Sequence, residues 1–465
     1  DNLNLNKYKQ TIDDNSATVE LLTPSKTAHP YFAEFGWLST DKNLILPSSN
    51  TVWMVEGNAS LTPETPITLV WYNGQGVKFI NQISVDKNYL FTLKQSVENN
   101  TGHEIPVYTY GLVSKQLNPA ATDRSVVHTG VTGIFDDKLK EISYNKIKED
   151  GETFETTGGW VSFSDKYWFG SFIFNDSAQN KISIKEVKED TYQLDYKGLP
   201  LQIQSGSAAS VTTQMYAGAK EIRLLDNYAK QIKKFDLNVD FGWYYFLTKP
   251  FYYILTYLYG LIGNMGWAIL LFAALLRIAM FPIANKSYES MSKMKKVQPK
   301  LMVLQEMYKD DKLALQRATM ELYKKEKINP AAGCLPMFIQ IPIFFSLYKV
   351  LNIALEIRHA PFIGWVKDLS APDPLTLSVW THIPYIPSAL DIGIWPLIYG
   401  FTMILQNKLN PKPANKDQAR MMMLMPIIFT IMFAHFAVGL VIYWLLSNIF
   451  SLAQQKIIMY KNGVK

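Results

Sequence analysis

The 465-residue chain has one cysteine, Cys334. It can form no intrachain disulfide and no cysteine-based zinc site. Histidine is scarce, at six residues. The sequence has no phosphate-binding loop, no His/Cys metal set and no Ser–His pairing in its second half, so no nucleotide, metal or other cofactor is expected. Internal repeats and low-complexity segments are lacking too. The chain opens on "DNLNLNKYKQ", without initiator methionine, signal peptide or apolar run. A chain trimmed of an N-terminal signal or anchor helix is the expectation, because a domain outside the membrane needs something upstream to export it.

Charge of one sign is unevenly spent. Residues 1–240 hold 23 Lys and Arg against 29 Asp and Glu, whereas residues 241–465 hold 23 against 11. The first part reads as a soluble domain and the second as a membrane domain. In residues 1–235, period-two alternation recurs at Val77 and Phe79, Ile83 and Val85, Tyr89, Phe91 and Leu93, Ile182 and Ile184, and Tyr192, Leu194 and Tyr196. Turn signals lie between these runs: Asn73-Gly74, "ENNTG", "EDGE" and "YKGLP". Many short strands at close spacing predict an all-β sandwich. A helix is expected near 217–235, closing the domain.

The segment 240–263 is dense in Tyr, Phe and Trp, with Lys249-Pro250 in its middle. It predicts an amphipathic helix lying at the membrane interface and starting near Pro250, since Trp and Tyr favour the headgroup level. Five spans are predicted after it, at 264–285, 333–355, 391–406, 422–437 and 438–456. The third is shorter than the roughly 20 residues a bilayer needs, which implies local thinning or help from flanking residues. The last two form a tight hairpin around Ala437-Val438-Gly439. The 286–330 loop carries eleven Lys and Arg against six acidic residues, and the 407–421 loop four against one. The opposite loop, 356–391, carries two basic residues against four acidic ones. Five spans put the basic loops on the cytoplasmic side and the β domain outside.

The 286–330 loop is helical in pattern. Tyr288, Met291, Met294, Val297, Leu301, Leu304 and Tyr308 recur at three and four. Asp310 or Asp311 can cap a second helix that Asn329-Pro330 stops. Two readings stay open. The hairpin packs its apolar stripes on each other, or Met291, Met294, Lys295, Lys296 and Met307 form a basic, Met-rich docking surface. Basic charge here also suits anionic lipid. In 333–355, Pro336 and Pro342 interrupt the span, with Gln340 between them. Lys349 can snorkel, and Cys334 reads as small-residue packing.

Arg277 interrupts the apolar run "LLFAALLRIAMFPIANKS". Apart from Asp391, at the very end of one, no Asp or Glu lies within any predicted span, so an intramembrane ion pair is not available. It stands eight residues before Asn285, about 12 Å by helical rise, which is deep for snorkelling. A water-filled cavity open toward the cytoplasm is expected, with help from Gln340, Gln406, Thr402, Tyr443 or Ser447. A cysteine at Ala273, one turn before Arg277, is expected to react with water-soluble thiol reagents.

These residues resemble the YidC family of membrane-protein insertases. "LLRIAMFPIANKSYESMSKMKKVQPK" is similar to its arginine-bearing helix and following loop, and "GCLPMFIQIPIFFSLYKVL" to its third-helix signature. "MPIIFT", "GLVIYW" and "SNIFSLAQQ" are similar to its last two helices. The resemblance covers about 240–460, and the β domain is similar by position to the periplasmic domain of Gram-negative members. It implies a multidomain fold: a periplasmic β-supersandwich, then five transmembrane helices with a cytoplasmic helical hairpin. It also implies a further first helix, and a location in the bacterial inner membrane.

The resemblance implies a hydrophilic groove in which Arg277 draws in the polar flank of a substrate helix, with Tyr443, Trp444 and Gln406 at groove-lining positions. The substrate would then slide along 333–355, at Ile341, Phe344 and Phe345, and along 422–437, at Met425, Ile428, Phe429 and Met432. The implied partners are nascent membrane proteins, the Sec translocon, and the ribosome with the signal recognition particle pathway. No specific nucleic-acid recognition and no enzyme activity are expected. The family usually has Pro-Ser-Gly or Pro-Ala-Gly where this chain has Ala437-Val438-Gly439. Two rival readings remain: a polytopic transporter or channel, and a carbohydrate-active β domain using His29, His103 and His128.

Overall fold

The computed structural model describes residues 2–118, 127–175, 179–329, 335–383, 386–387, 390–411 and 416–463. Cys334, Pro330 and the start of the expected 333–355 span lie outside the described residues. The chain divides into two compact units, Asp1–Asp240 and Phe241–Lys465.

The first unit is built from antiparallel strands. A nine-stranded sheet runs from the edge strand Lys138–Ser143 through the long strand Ser207–Ala219 to the short edge strand Met54–Glu56. A second, six-stranded sheet is organised around Ile105–Gln116, which pairs with Thr191–Lys197, Leu201–Ile203 and Tyr31–Leu38. Alternation decides which side chains go inward. Ile182 lies opposite Tyr196 and Ile184 opposite Leu194, and all four are buried. They meet Val131, Phe163, Phe172 and Met215 of the larger sheet in one core. The Phe172 and Tyr196 rings, 5.0 Å apart and nearly perpendicular, join the two sheets.

The closing helix expected at 217–235 is shorter than its pattern. Ala217, Gly218 and Ala219 finish a strand opposite Gly170, Phe169 and Trp168, and only Ile222–Tyr228 is α-helical. A small-residue run in register with a neighbouring strand outweighs helix propensity there. The unit also continues past 235, because Phe235 is fully buried against Trp160, Phe169 and Tyr216.

The second unit is helical. Counting Tyr144–Asp150 as α1 and Ile222–Tyr228 as α2, it contains α3 Tyr245–Ile262, α4 Met265–Lys296, α5 Gln298–Met307, α6 Lys312–Lys325 and α7 Leu335–Ile353. After these come α8 Leu377–Thr381, α9 Ile394–Leu409, α10 Lys416–Phe433 and α11 Val438–Lys461. Among the described residues two helices, α4 and α11, are long and apolar enough to cross a membrane; Phe338–Ile353 and Ala419–Phe433 are shorter apolar stretches.

Several helix bounds differ from the sequence expectation: α9 covers 394–409 rather than 391–406, α10 416–433 rather than 422–437, and α11 runs to 461 rather than 456. α3 begins at Tyr245, about a turn before Pro250. It buries Phe251, Leu255 and Leu258 at helical spacing, while Trp243, Phe246, Tyr257 and Leu261 are exposed. Its contacts run to α4 and α7, and Tyr252 donates to Glu356 at 2.5 Å. α4 does not stop at 285: it runs unbroken to Lys296, about 48 Å by helical rise. The break comes only at Val297, because Pro299 fits the opening turn of a new helix, α5. The first arm of the expected hairpin is therefore divided between the end of α4 and α5. In the second arm Asp311 caps α6 through the amides of Leu313 and Ala314.

Candidate functional site

α4 presents a buried stripe at Ile269, Phe272, Ala273, Met280, Ala284 and Tyr288. Arg277 falls at the edge of that stripe and is half-buried. It lines a cavity of about 440 Å³ between α4 and α11. Ala274, Ile278, Phe281, Asn285 and Glu289 complete the α4 wall; Phe450, Ala453, Gln454, Ile457 and Lys461 stand on α11. The lining surface is largely apolar, and Arg277, Asn285, Glu289, Gln454, Lys461 and Asn462 bring polar groups to it, as in sites that orient a ligand. Among the described residues Arg277 has no carboxylate within ion-pair distance. Pro282, on the same helix, withholds the amide that the Ile278 carbonyl would take in a regular helix.

The residues expected around Arg277 do not form one group. Tyr443 is near enough to feel the guanidinium charge, and its hydroxyl accepts from Gln340 Nε2 at 3.1 Å. Ser447 is buried one turn further along α11. Thr402 is engaged elsewhere. It accepts from Asn448 Nδ2 at 2.8 Å and donates to the Tyr399 carbonyl, clamping α9 to α11. Gln406 is half-buried on α9 and does not line the cavity.

Trp444 sits in an aromatic cluster with Phe344, Tyr399 and Phe433, their ring centroids 5.7, 6.2 and 5.7 Å away. Adjacent helical residues point about 100° apart, so Tyr443 and Trp444 cannot share one face. Ala273 is fully buried and Ala274 lines the cavity, which moves the accessible position by one residue.

Sequence reasoning missed a polar ladder on α11. Gln454 Nε2 donates to Asn285 Oδ1 at 2.9 Å and to the Phe281 carbonyl. Gln455 Nε2 donates to Asn410 Oδ1, and Asn448 to Thr402. Asn407 donates to the Met422 carbonyl at 2.6 Å, the acceptor left without its amide by Pro426. The signal was present: polar residues at 447, 448, 451, 454 and 455 recur at helical spacing in an otherwise apolar segment.

At the opposite end of α11 the turn is secured from outside. Ala437 offers no side-chain cap. The amides of Val438 and Gly439 instead donate to the Ala371 and Leu369 carbonyls at 2.8 and 3.0 Å. Carboxylates hold that loop. Asp373, buried, accepts from Trp365 Nε1 and from the amides of Leu375 and Trp395. Asp368 accepts from the amides of His359 and Ser370. Asp391 accepts from Ser378 and Thr376, and those bonds lower its pKa. Val366 and Leu369 are buried beneath.

Of the expected slide positions, Ile341, Phe345, Ile428 and Met432 are exposed. Met425 is half-buried, and Phe344 and Phe429 pack into the aromatic cluster. Of the docking positions, Lys296 and Met307 are exposed, while Met294 and Lys295 are half-buried. Met291 is half-buried too and packs against Ala284, Tyr288 and Ile458. In the β unit, His29 and His103 are exposed and His128 is half-buried. None of them lines a cavity of about 290 Å³ in that unit, whose lining includes Asp136, Asp137, Thr157 and Lys233. Among the described residues no three His, Cys, Asp or Glu side chains could hold a metal ion.

Residues 1–254 match the YidC periplasmic domain family, and residues 257–464 match the family described as 60Kd inner membrane protein. A membrane protein insertase YidC from Nitrobacter hamburgensis is 45% identical over 490 residues, covering 100% of this chain and 80% of its own length. One from Rickettsia akari is 44% identical over 465 residues, covering 98% of this chain and 83% of its own length. A crystal structure of an active YidC insertase with its first transmembrane domain resolved covers 90% of this chain and 82% of its own, at 19% identity and a TM-score of 0.39.

Proposed function

The chain belongs to the YidC family of membrane protein insertases, and we propose that it performs insertion through the cavity that holds Arg277. Its relatives are named insertases, so it is not an enzyme, and the transporter or channel reading is not favoured. The observation that carries the proposal is a guanidinium without an acidic partner among the described residues, lining an open cavity with apolar walls.

In this reading α4, α7, α9, α10 and α11 span the bacterial inner membrane and α3 lies at its interface. The sixteen residues of α9 reach about 24 Å, short of a roughly 30 Å hydrocarbon core, so the bilayer thins beside it. The basic loops face the cytoplasm and the β unit the periplasm. The loop around Asp373 then seals the outer end, and the cavity opens inward.

A polar client flank enters from the cytoplasm and exchanges bulk water for Arg277, Asn285 and Gln454. Its apolar segment leaves along Ile341 and Phe345 on α7 and along Met425, Ile428 and Met432 on α10. Phe344 and Phe429 back those surfaces from inside. Partition supplies the driving force. A 20-residue apolar helix gains on the order of 10 kcal/mol in lipid, more than the roughly 3 kcal/mol that one charge costs at mid-bilayer. Arg277 lowers the barrier for an acidic flank while that charge is out of bulk water. Nascent membrane proteins are the clients; the Sec translocon, the ribosome with the signal recognition particle pathway, and anionic lipid beside the basic α5–α6 region are the partners.

The test is insertion of a single-span client with an acidic translocated tail, in cells depleted of the native protein. Arg277→Ala should reduce protease protection of the tail at least about tenfold, the scale of truncating one partner of a desolvated charge pair. Arg277→Lys should keep much of the activity, since charge matters more than the forked geometry. Full insertion by the Ala variant would sink the electrostatic role.

A further inference from the structure

The cavity holds a second charge of opposite sign. Glu289 lies on the same helix as Arg277 and lines the same cavity, twelve residues further on. That places the two charges about 18 Å apart along the axis. Glu289 is exposed, and among the described residues no lysine or arginine closes an ion pair on it. Lys461 faces the cavity from α11, and Lys286 and Lys293 flank Glu289 on α4 at three and four residues. The basic neighbours do not repeat along the cavity: at the Arg277 end the lining residues are Ala274, Ile278 and Phe281.

We propose that Glu289 is a specificity-determining residue: it holds a basic residue of the client flank while Arg277 holds an acidic one. The proposal rests on the reading of this cavity as the client site. The spacing selects the client. An extended chain advances about 3.3–3.6 Å per residue, so an 18 Å separation corresponds to about five positions. The favoured flank carries Asp or Glu at its leading end and Lys or Arg about five positions behind it. The reverse order meets a like charge at both ends and is disfavoured. A basic residue held at Glu289 stays behind while the acidic end advances, which favours retention of positive charge on the side of access.

The experiment uses the full chain in depleted cells and four forms of one single-span client. Three have Asp leading and Lys, Gln or Glu five positions behind; the fourth has Lys leading and Asp behind. With wild type, the Lys form should insert about threefold better than the Gln form, the size of one solvent-accessible ion pair. The reversed form should be the poorest. Glu289→Gln should bring the Lys and Gln forms level, Glu289→Asp should keep the preference, and Glu289→Lys should turn it toward the Glu form. An unchanged Lys-to-Gln ratio in Glu289→Gln, or no preference in wild type, overturns the proposal. Arg277→Ala separates the two levels. If it lowers insertion of every Asp-leading form while Glu289→Gln alters no ratio, the client cavity stands and the role of Glu289 falls. If Arg277→Ala changes nothing, the cavity reading itself has failed.

Discussion

The two units treat a withdrawn cation in opposite ways. In the β unit Lys220 is buried and donates to Ser164 Oγ at 2.7 Å, while nearby Lys115 is paired with Asp165 at 2.5 Å. Within the fold Lys115 is answered by a carboxylate, and Lys220 by a hydroxyl. In the helical unit Arg277 is half-buried with no carboxylate partner among the described residues, and a cavity opens beside it. Their surfaces differ in the same sense. The helical unit exposes Trp243, Phe246, Ile278, Met423 and Ile427, residues a soluble unit would cover. An internally paired charge makes a domain stable by itself. An unpaired one beside a cavity makes it complementary to something that arrives.

The comparison breaks most sharply in the loop around Asp373, the part of the helical unit whose charges are satisfied internally. Asp373→Ala removes an acceptor shared by Trp365, Leu375 and Trp395. It should cost about 3 kcal/mol, since it strands buried donors, and should lower the thermal midpoint of the detergent-solubilised chain. A midpoint like that of wild type would mean the loop is not held by its carboxylates.

A smaller effect tests the β unit. Burial lowers the Lys220 pKa from the usual 10.5 to about 8. Between those values the unfolded chain binds the extra proton, so stability rises with pH. The rise should amount to about 2 kcal/mol from pH 8 to 10. Burial raises the pKa of Tyr31 and Tyr196, which keep their protons when unfolded tyrosines lose theirs. Stability should therefore fall again above about pH 10. Denaturant midpoints of the β-unit transition against pH would reveal the maximum, and Lys220→Met should flatten its rising side. The smallest effect belongs to the clamp between α9 and α11. Asn448→Ala should cost about 1 kcal/mol or less, as interhelical hydrogen bonds in membranes do, measured by reversible unfolding in detergent. A loss of several kcal/mol would make the clamp structural on the scale of the Asp373 loop.

Much of this was legible in the sequence, and the failures share a cause. Period two at Ile182 and Ile184 announced strands, but not that Ser207–Ala219 would pair with both Leu90–Asn99 and Trp168–Ile173, which is a long-range choice. Arg277 stood out because one charge in an apolar run is a local signal. Its surroundings did not, because they depend on the rotation of each helix. Rotation sends Trp444 into an aromatic cluster and Tyr443 toward Gln340. It also turns Thr402 toward Asn448, and gives Ala274 rather than Ala273 to the cavity. The end of α4 was legible in principle, since Pro299 marks it better than Asn285 does.

The central claim is that Arg277 faces a hydrated space that a client occupies. Cysteines placed singly at Ala273 and Ala274, with Cys334 replaced by serine, test it with a water-soluble thiol reagent on native membranes. The account predicts that position 274 reacts, that position 273 does not, and that a stalled nascent membrane protein protects position 274. A silent position 274, or one that a client leaves unprotected, would contradict it.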